Sequence, residues 1–384
     1  MPSVPTTSLD LTSAGFRADP YPLLAEERAR APIAWHDGLG MFLAFDHASV
    51  SAVQRNRDLG RIWRDREPAA YLEPFNLLHR NQMMENEPPV HTRLRRPVVA
   101  AFNRGHVERL RPRVRELAGR LLDEVGGGAY DLVEAYAEPL PVLVIAELLG
   151  VPASYAPALR SWSQAIVRMY EVSPGDTVVD AAVRAASDFA ALVRDLVVMR
   201  RREPADDLIT DLVGTELTDD EVVASVILLL NAGHEASVNV FGNGLVAMLS
   251  RGLRPGADVS STVEEMLRFD SALQLFERTA TGPVTIGEVT IEPGQKVAAL
   301  LGSANRDPAV FAEPDTFDVA RDPNPHVAFG VGVHFCLGAP LARMELAESL
   351  ATLFDRHPGL RLAGTPEPRG TFVLRGYRHV PVSA

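Results

Sequence analysis

The chain has one cysteine, Cys336, in 384 residues. A lone thiol cannot close a disulfide within the chain, and with no second cysteine beside it there is no zinc knuckle to build. Basic charge is also scarce. The 38 lysines and arginines against 50 acids leave a net charge of −12, which disfavours nucleic acid as a partner. No apolar run approaches the roughly 20 residues that cross a bilayer, and residues 1–16 lack the basic start and apolar centre of a signal peptide. No membrane is therefore expected, and the expected location is cytoplasmic. Low-complexity tracts are missing too; 46% hydrophobic and 23% charged residues describe a folded globular chain large enough for a cofactor-sized core.

What surrounds the one sulfur is a glycine-rich stretch, Phe329-Gly330-Val331-Gly332-Val333-His334-Phe335-Cys336-Leu337-Gly338-Ala339-Pro340. Gly330, Gly332 and Gly338 remove side chains around the thiol, so a flat, bulky group can approach the backbone and the chain can turn sharply. Pro340 suits the first turn of a helix. The sulfur then sits just before a helix N-terminus, where backbone N–H groups and the dipole favour thiolate over thiol. A single cysteine is more often a small buried hydrophobe. Gly330-Val331-Gly332 could also open a dinucleotide fingerprint, but the third glycine is missing and no strand–helix–strand unit surrounds it. The run Phe329-Gly330-x-Gly332-x-His334-x-Cys336-x-Gly338 resembles the haem-ligand loop of the cytochrome P-450 family at every fixed position. The resemblance extends from Asp19 to Pro381.

Along the chain, Asp19-Pro20-Tyr21-Pro22 opens a helix, and the segments 33–35 and 41–45 read as a hairpin around Asp37-Gly38. Residues 61–87 show little periodicity and read as a long functional loop or short irregular helices. Apolar spacing predicts helices over 107–125, 140–149, 156–170 and 177–201, the last two joined by Ser173-Pro174-Gly175. Thr218-Asp219-Asp220-Glu221 is a capping box for a helix running to Ser250, about 50 Å long. Residues 291–297 read as a hairpin turn between strands. The resemblance implies a mainly helical fold with a smaller β-rich lobe, in a single haem-thiolate domain over residues 1–384.

It also implies residue roles. Haem b would be held by Cys336 as axial thiolate, with Phe329, Gly330 and Gly338 around it. His91 and Arg95, four apart on one helix face, would grip the propionates with Arg278 and His334. Pro97 predicts a kink or an early end to that helix. Ala232-Gly233-His234-Glu235-Ala236-Ser237 resembles the oxygen-activating segment, where the small Ala232 and Gly233 let a helix pass over the haem and Glu235 matches the acid of a proton relay. Ala236 replaces the relay's threonine, and Ser237 lies about 100° further round the helix. A substrate hydroxyl or an ordered water would then complete the relay, or the reaction needs less help.

Asn231 stands one turn before Glu235, where the family carries an aliphatic residue. With the arginines of residues 61–80, it points to a substrate bearing amide or hydroxyl groups, although bonding within its own helix is an equal alternative. Leu228, Leu275, Phe276, Val373 and Leu374 would line the pocket, and Trp162, Ile166, Met169 and Tyr170 its mobile roof. Ala272 takes the place of a family proline. Glu265, Arg268 and Arg321 would form a buried structural ion network.

Between residues 91 and 113 stand seven arginines (93, 95, 96, 104, 109, 111, 113) against one acid, Glu108. That is a solvated helix face or a docking patch for an acidic electron carrier. By resemblance the donors are a ferredoxin and its reductase. The thiolate ligand favours cleavage of bound O2, and the outcome is hydroxylation or epoxidation of a small or medium organic molecule, in secondary metabolism. The alternative is oxidative C–C, C–N or C–O coupling of an aromatic or peptide substrate without oxygen insertion. A haem sensor or electron carrier without catalysis is a reading of another class.

Overall fold

Thr218 and Glu221 start the longest helix, Asp219–Leu249. The Glu221 N–H donates to Thr218 Oγ1 at 3.3 Å and the Thr218 N–H donates to Glu221 Oε2 at 2.9 Å, so each side chain satisfies a backbone donor left open by the first turn. Among the described residues it is the one helix long and apolar enough to cross a bilayer, but 83% of that window is buried, and it is a core helix. The computed structural model describes residues 4–99, 101–102, 104–172 and 174–384. It is mainly helical with a smaller sheet region.

Two compact units emerge. One comprises residues 62–238 and 340–359, with the last residue of the chain. Its helices are Ala69–Arg80, Val90–Val99, Arg104–Val125, Pro139–Leu149, Ala156–Val167, Asp176–Arg202 and Leu208–Val213, with the first two thirds of the long helix and most of Ala339–Arg356. The helix from Ala156 tightens into a 3-10 turn at Arg168–Tyr170. Ser173, in the expected junction, lies outside the described residues. The helix carrying His91 ends at Val99, two residues beyond Pro97.

Residues 61–87 are more regular than their pattern suggests. Ala69–Arg80 forms a helix of 12 residues with Pro74 inside it. Packing offsets the lost hydrogen bond, because Leu72, Phe75, Leu78 and His79 are all buried. The His79 ring stacks against Phe75, 4.0 Å away, and against Trp63, 4.7 Å away. Tertiary contacts thus impose a helix that the proline hides from sequence inspection.

The other unit comprises residues 1–61, 239–339 and 360–383. Its sheet has six strands in the order Thr6–Thr7, Ile33–His36, Met41–Ala44, Lys296–Leu300, Leu275–Ala280 and Leu59–Gly60. Ile33–His36 and Met41–Ala44 form the expected hairpin. The expected hairpin at residues 291–297 does not form. Val289–Ile291 pairs back with Val284–Ile286, whereas Lys296–Leu300 pairs with Leu275–Ala280 and Met41–Ala44. The cause is local: Gly294 has φ +86°, its N–H donates to Ala280 O at 2.8 Å, and the Ala280 N–H donates to Gln295 O at 2.9 Å, which turns the chain onto the larger sheet.

Arg268, fully buried, donates to both Glu265 oxygens at 2.7 Å and to three backbone carbonyls, of Asn305, Pro314 and Thr316. Arg321 Nε adds a bond to Glu265 Oε2 at 3.1 Å. Such an ion group holds its fold only while every member is satisfied.

Candidate functional site

The cysteine loop is built on two glycines with positive φ, Gly330 at +67° and Gly332 at +81°. A Cβ on Gly332 would lie 2.5 Å from the carbonyl oxygen of Gln54, so glycine is required there by space as well as by backbone conformation. The Cys336 N–H donates to Phe329 O at 2.9 Å and closes the loop. A Cβ on Gly338 would come 3.9 Å from the sulfur. Its absence leaves one side of the thiol clear. The helix Ala339–Arg356 begins three residues after Cys336 with Pro340 in its first turn, as the sequence requires.

In the same unit, Arg278 is buried at 3% exposure on the strand Leu275–Ala280, with its guanidinium 5.7 Å from the Phe276 ring. The Arg61 guanidinium lies 5.2 Å from that ring on its own approach. Leu275 and Phe276 open this strand, and Leu374 is bridged to Leu273, two residues before it. The Gln274 N–H donates to Val373 O at 3.0 Å. Leu275, Phe276, Val373 and Leu374, taken from distant parts of the sequence, therefore sit on adjoining chain segments. Ala272, in place of the family proline, accepts from the Arg375 N–H at 2.7 Å.

The long helix supplies the second group. Asn231 is 6% exposed, and its Oδ1 is buried with no hydrogen-bond partner among the described residues. Bonding within its own helix is thereby excluded for that oxygen. Leu228 is buried one turn before it. Glu235 is 2% exposed, with His234 Nδ1 3.5 Å from its Oε1. Around them, Ala232 is exposed and Ala236 half-buried, a strip of low relief on an otherwise buried helix. Gly233 serves a different contact: a Cβ there would lie 3.2 Å from Ile145 Cγ1.

Ser237 has a partner that sequence reading missed. It shares a hydrogen bond with Glu345 of the helix Ala339–Arg356, and burial pushes the Glu345 carboxyl up to about 8 against the opposing effect of that bond. The signal was present: Glu345 lies four residues after Leu341 and four before Ser349, all on the buried side of the helix.

His91, 2% exposed, and Arg95, half-buried, lie one turn apart on Val90–Val99. The arginine run around them is partly neutralised by distant acids. Arg93 pairs with Glu221 at 2.5 Å, Arg111 with Glu348 at 2.6 Å, and Arg113 with Glu147 at 2.9 Å. Arg96 and Arg109 are exposed; the Arg104 side chain lies outside the described residues.

These features suit a flat metal-bearing group with carboxylate edges. Gly338 leaves one side of the sulfur without a side chain, the long helix carries small residues at 232, 233 and 236, and a buried amide donor, Gln54 Nε2, has no partner among the described residues. Comparison with known proteins agrees. A family model described as cytochrome P450 matches residues 259–358. The 6-deoxyerythronolide B hydroxylase of Saccharopolyspora erythraea is 36% identical over 404 aligned positions, covering 98% of this chain and 99% of that protein. Cytochrome P450 monooxygenase PikC of Streptomyces venezuelae is 35% identical, covering 99% and 94%. The solved structure of P450BioI, in complex with an acyl carrier protein bearing hexadec-9Z-enoic acid, superposes with a TM-score of 0.93 at 31% identity, covering 97% of this chain and 100% of that one.

Proposed function

This chain belongs to the cytochrome P450 family, and from that premise we propose that it hydroxylates or epoxidises a hydroxyl- or amide-bearing intermediate of secondary metabolism. The enzyme is a haem monooxygenase. When bound, the haem supplies O2 activation through an iron whose thiolate ligand donates electron density. The residues that would hold it are Cys336, with Phe329, Gly330 and Gly338 beside the sulfur, and His91, Arg95, Arg278 and His334 at its carboxylates. Residues 1–384 would act as one haem-thiolate domain.

The observation that carries the substrate class is the buried oxygen of Asn231. A buried acceptor without a donor costs about 1–3 kcal/mol, and a substrate O–H or N–H would recover that cost. Leu228, Leu275, Phe276, Val373 and Leu374 would provide the apolar remainder. Proton supply then divides between two routes. Glu235 serves the first, with a substrate hydroxyl or water standing where Ala236 lacks a hydroxyl. Ser237 and Glu345 form the second, since a carboxyl that keeps its proton near neutral pH can give one up through the serine hydroxyl.

Electrons would come from a cytoplasmic ferredoxin and its reductase. Exposed Arg96 and Arg109 are what support that docking surface, their neighbours Arg93, Arg111 and Arg113 being paired internally. Product mass tests the reaction. Gain of one oxygen atom supports hydroxylation or epoxidation; loss of two hydrogens with no oxygen gained identifies coupling instead.

A further inference from the structure

The helix His47–Arg55 brings one polar residue into the wall of the cysteine loop. Its start is fixed, since Asp46 Oδ1 accepts the Ser49 N–H at 2.9 Å and the His47 N–H donates to Asp307 Oδ2 at 2.9 Å. Val50 and Val53 are fully buried in a core that also receives Val297, Ala299 and Val327. The last turn of this helix therefore has little freedom. Gln54, on that turn, is 3% exposed, and its Oε1 accepts the Val331 N–H at 2.8 Å.

Val331 stands between Gly330 and Gly332, and the Gly332 backbone is pressed against Gln54 closely enough to exclude a Cβ. The acceptor half of the Gln54 amide is accounted for by this contact. The donor half is not. Nε2 is buried and has no hydrogen-bond partner among the described residues. An apolar side chain would fill the space without burying an idle donor. The cofactor of this family carries its acceptors at the porphyrin edge, as carboxylates.

We propose that Gln54 is a positioning residue for the haem: Oε1 fixes the Val331 amide at the entrance to the cysteine loop, and Nε2 donates to a haem carboxylate, directly or through one ordered water. The inference rests on the haem-thiolate reading. An amide is suited to this place because it donates at every pH, whereas an imidazole donor changes its charge near neutrality.

The test follows transfer of ferric haem from the holoenzyme to excess apomyoglobin, in wild type, Gln54→Glu and Gln54→Leu. Each is loaded with haem or with haem dimethyl ester, and reduction midpoint potentials are recorded in parallel. Gln54→Glu keeps an acceptor for Val331 but sets a negative charge against the carboxylate. With haem it should release the cofactor about ten-fold faster than wild type and shift the potential, and Gln54→Leu should do the same. With the dimethyl ester the difference should close to within about two-fold, because the charged acceptor has gone. Haem retention by Gln54→Glu equal to wild type would overturn the proposal. So would equal acceleration with both cofactors, which marks disturbed loop packing alone. If Gln54→Leu does not fold, the Gln54→Glu pair of measurements decides. A wild-type protein that holds haem without the thiolate would instead bring down the reading beneath it.

Discussion

Replacing Glu345 by glutamine tests the burial argument quantitatively. Its carboxyl is 5% exposed and held up to about 8 by desolvation, so from its ordinary value of 4.5 upwards the folded protein keeps a proton that the unfolded chain has released. The unfolded state binds fewer protons in that window. Stability therefore falls as pH rises, by ~1.4 kcal/mol per pH unit for one such group, and the loss is complete above about 8. From about pH 5.5 to about pH 7.5 this amounts to ~2–3 kcal/mol, a large part of the ~5–15 kcal/mol that holds a domain together. Glu345→Gln keeps the shape and can still accept from the Ser237 hydroxyl, but has no proton to lose. Urea unfolding of the two holoenzymes at both pH values should show the variant gaining ~2–3 kcal/mol over wild type between them. Infrared difference spectra should also lose a protonated-carboxyl band in the variant. Parallel pH profiles for the two proteins, with no such band in wild type at neutral pH, would refute the reasoning.

Other substitutions probe separate links. Asn231→Leu should weaken a ligand carrying an O–H or N–H donor by about ten-fold or more while sparing an apolar ligand, read from the spin-state shift of the haem absorbance. Equal affinities for both ligand types would remove Asn231 from the specificity argument. Gly332→Ala must force a side chain into a φ of +81° and onto the Gln54 carbonyl, and should destabilise the protein by roughly 1–3 kcal/mol in denaturant unfolding; an unchanged midpoint would mean the loop can move aside. Ala236→Thr should alter the product profile or raise peroxide leakage, and no change in either would show the position to be silent.

The sequence displays whatever chemistry demands at short range. The glycines, histidine and cysteine of residues 329–338 follow from one loop around one sulfur, and Thr218 with Glu221 from one helix turn. Side-chain partners across long sequence distances were hidden. Arg93, Arg111 and Arg113 looked like free charge because Glu221, Glu348 and Glu147 lie far away along the chain. Glu345 and Gln54 belong to no motif, and Pro74 conceals a helix that burial of Phe75 and His79 sustains. The turn at Gly294 suggests pairing with the preceding strand, whereas hydrogen bonds at Ala280 send the strand after it to another sheet.

Every role proposed above depends on the Cys336 sulfur binding iron as a thiolate. Reducing the purified holoenzyme under carbon monoxide and recording its Soret band measures this directly. Wild type should give the long-wavelength band of a thiolate-ligated ferrous carbonyl, and Cys336→Ala should lose it. A band typical of imidazole ligation in intact wild type, or a Cys336→Ala protein with the same spectrum and turnover as wild type, would contradict it.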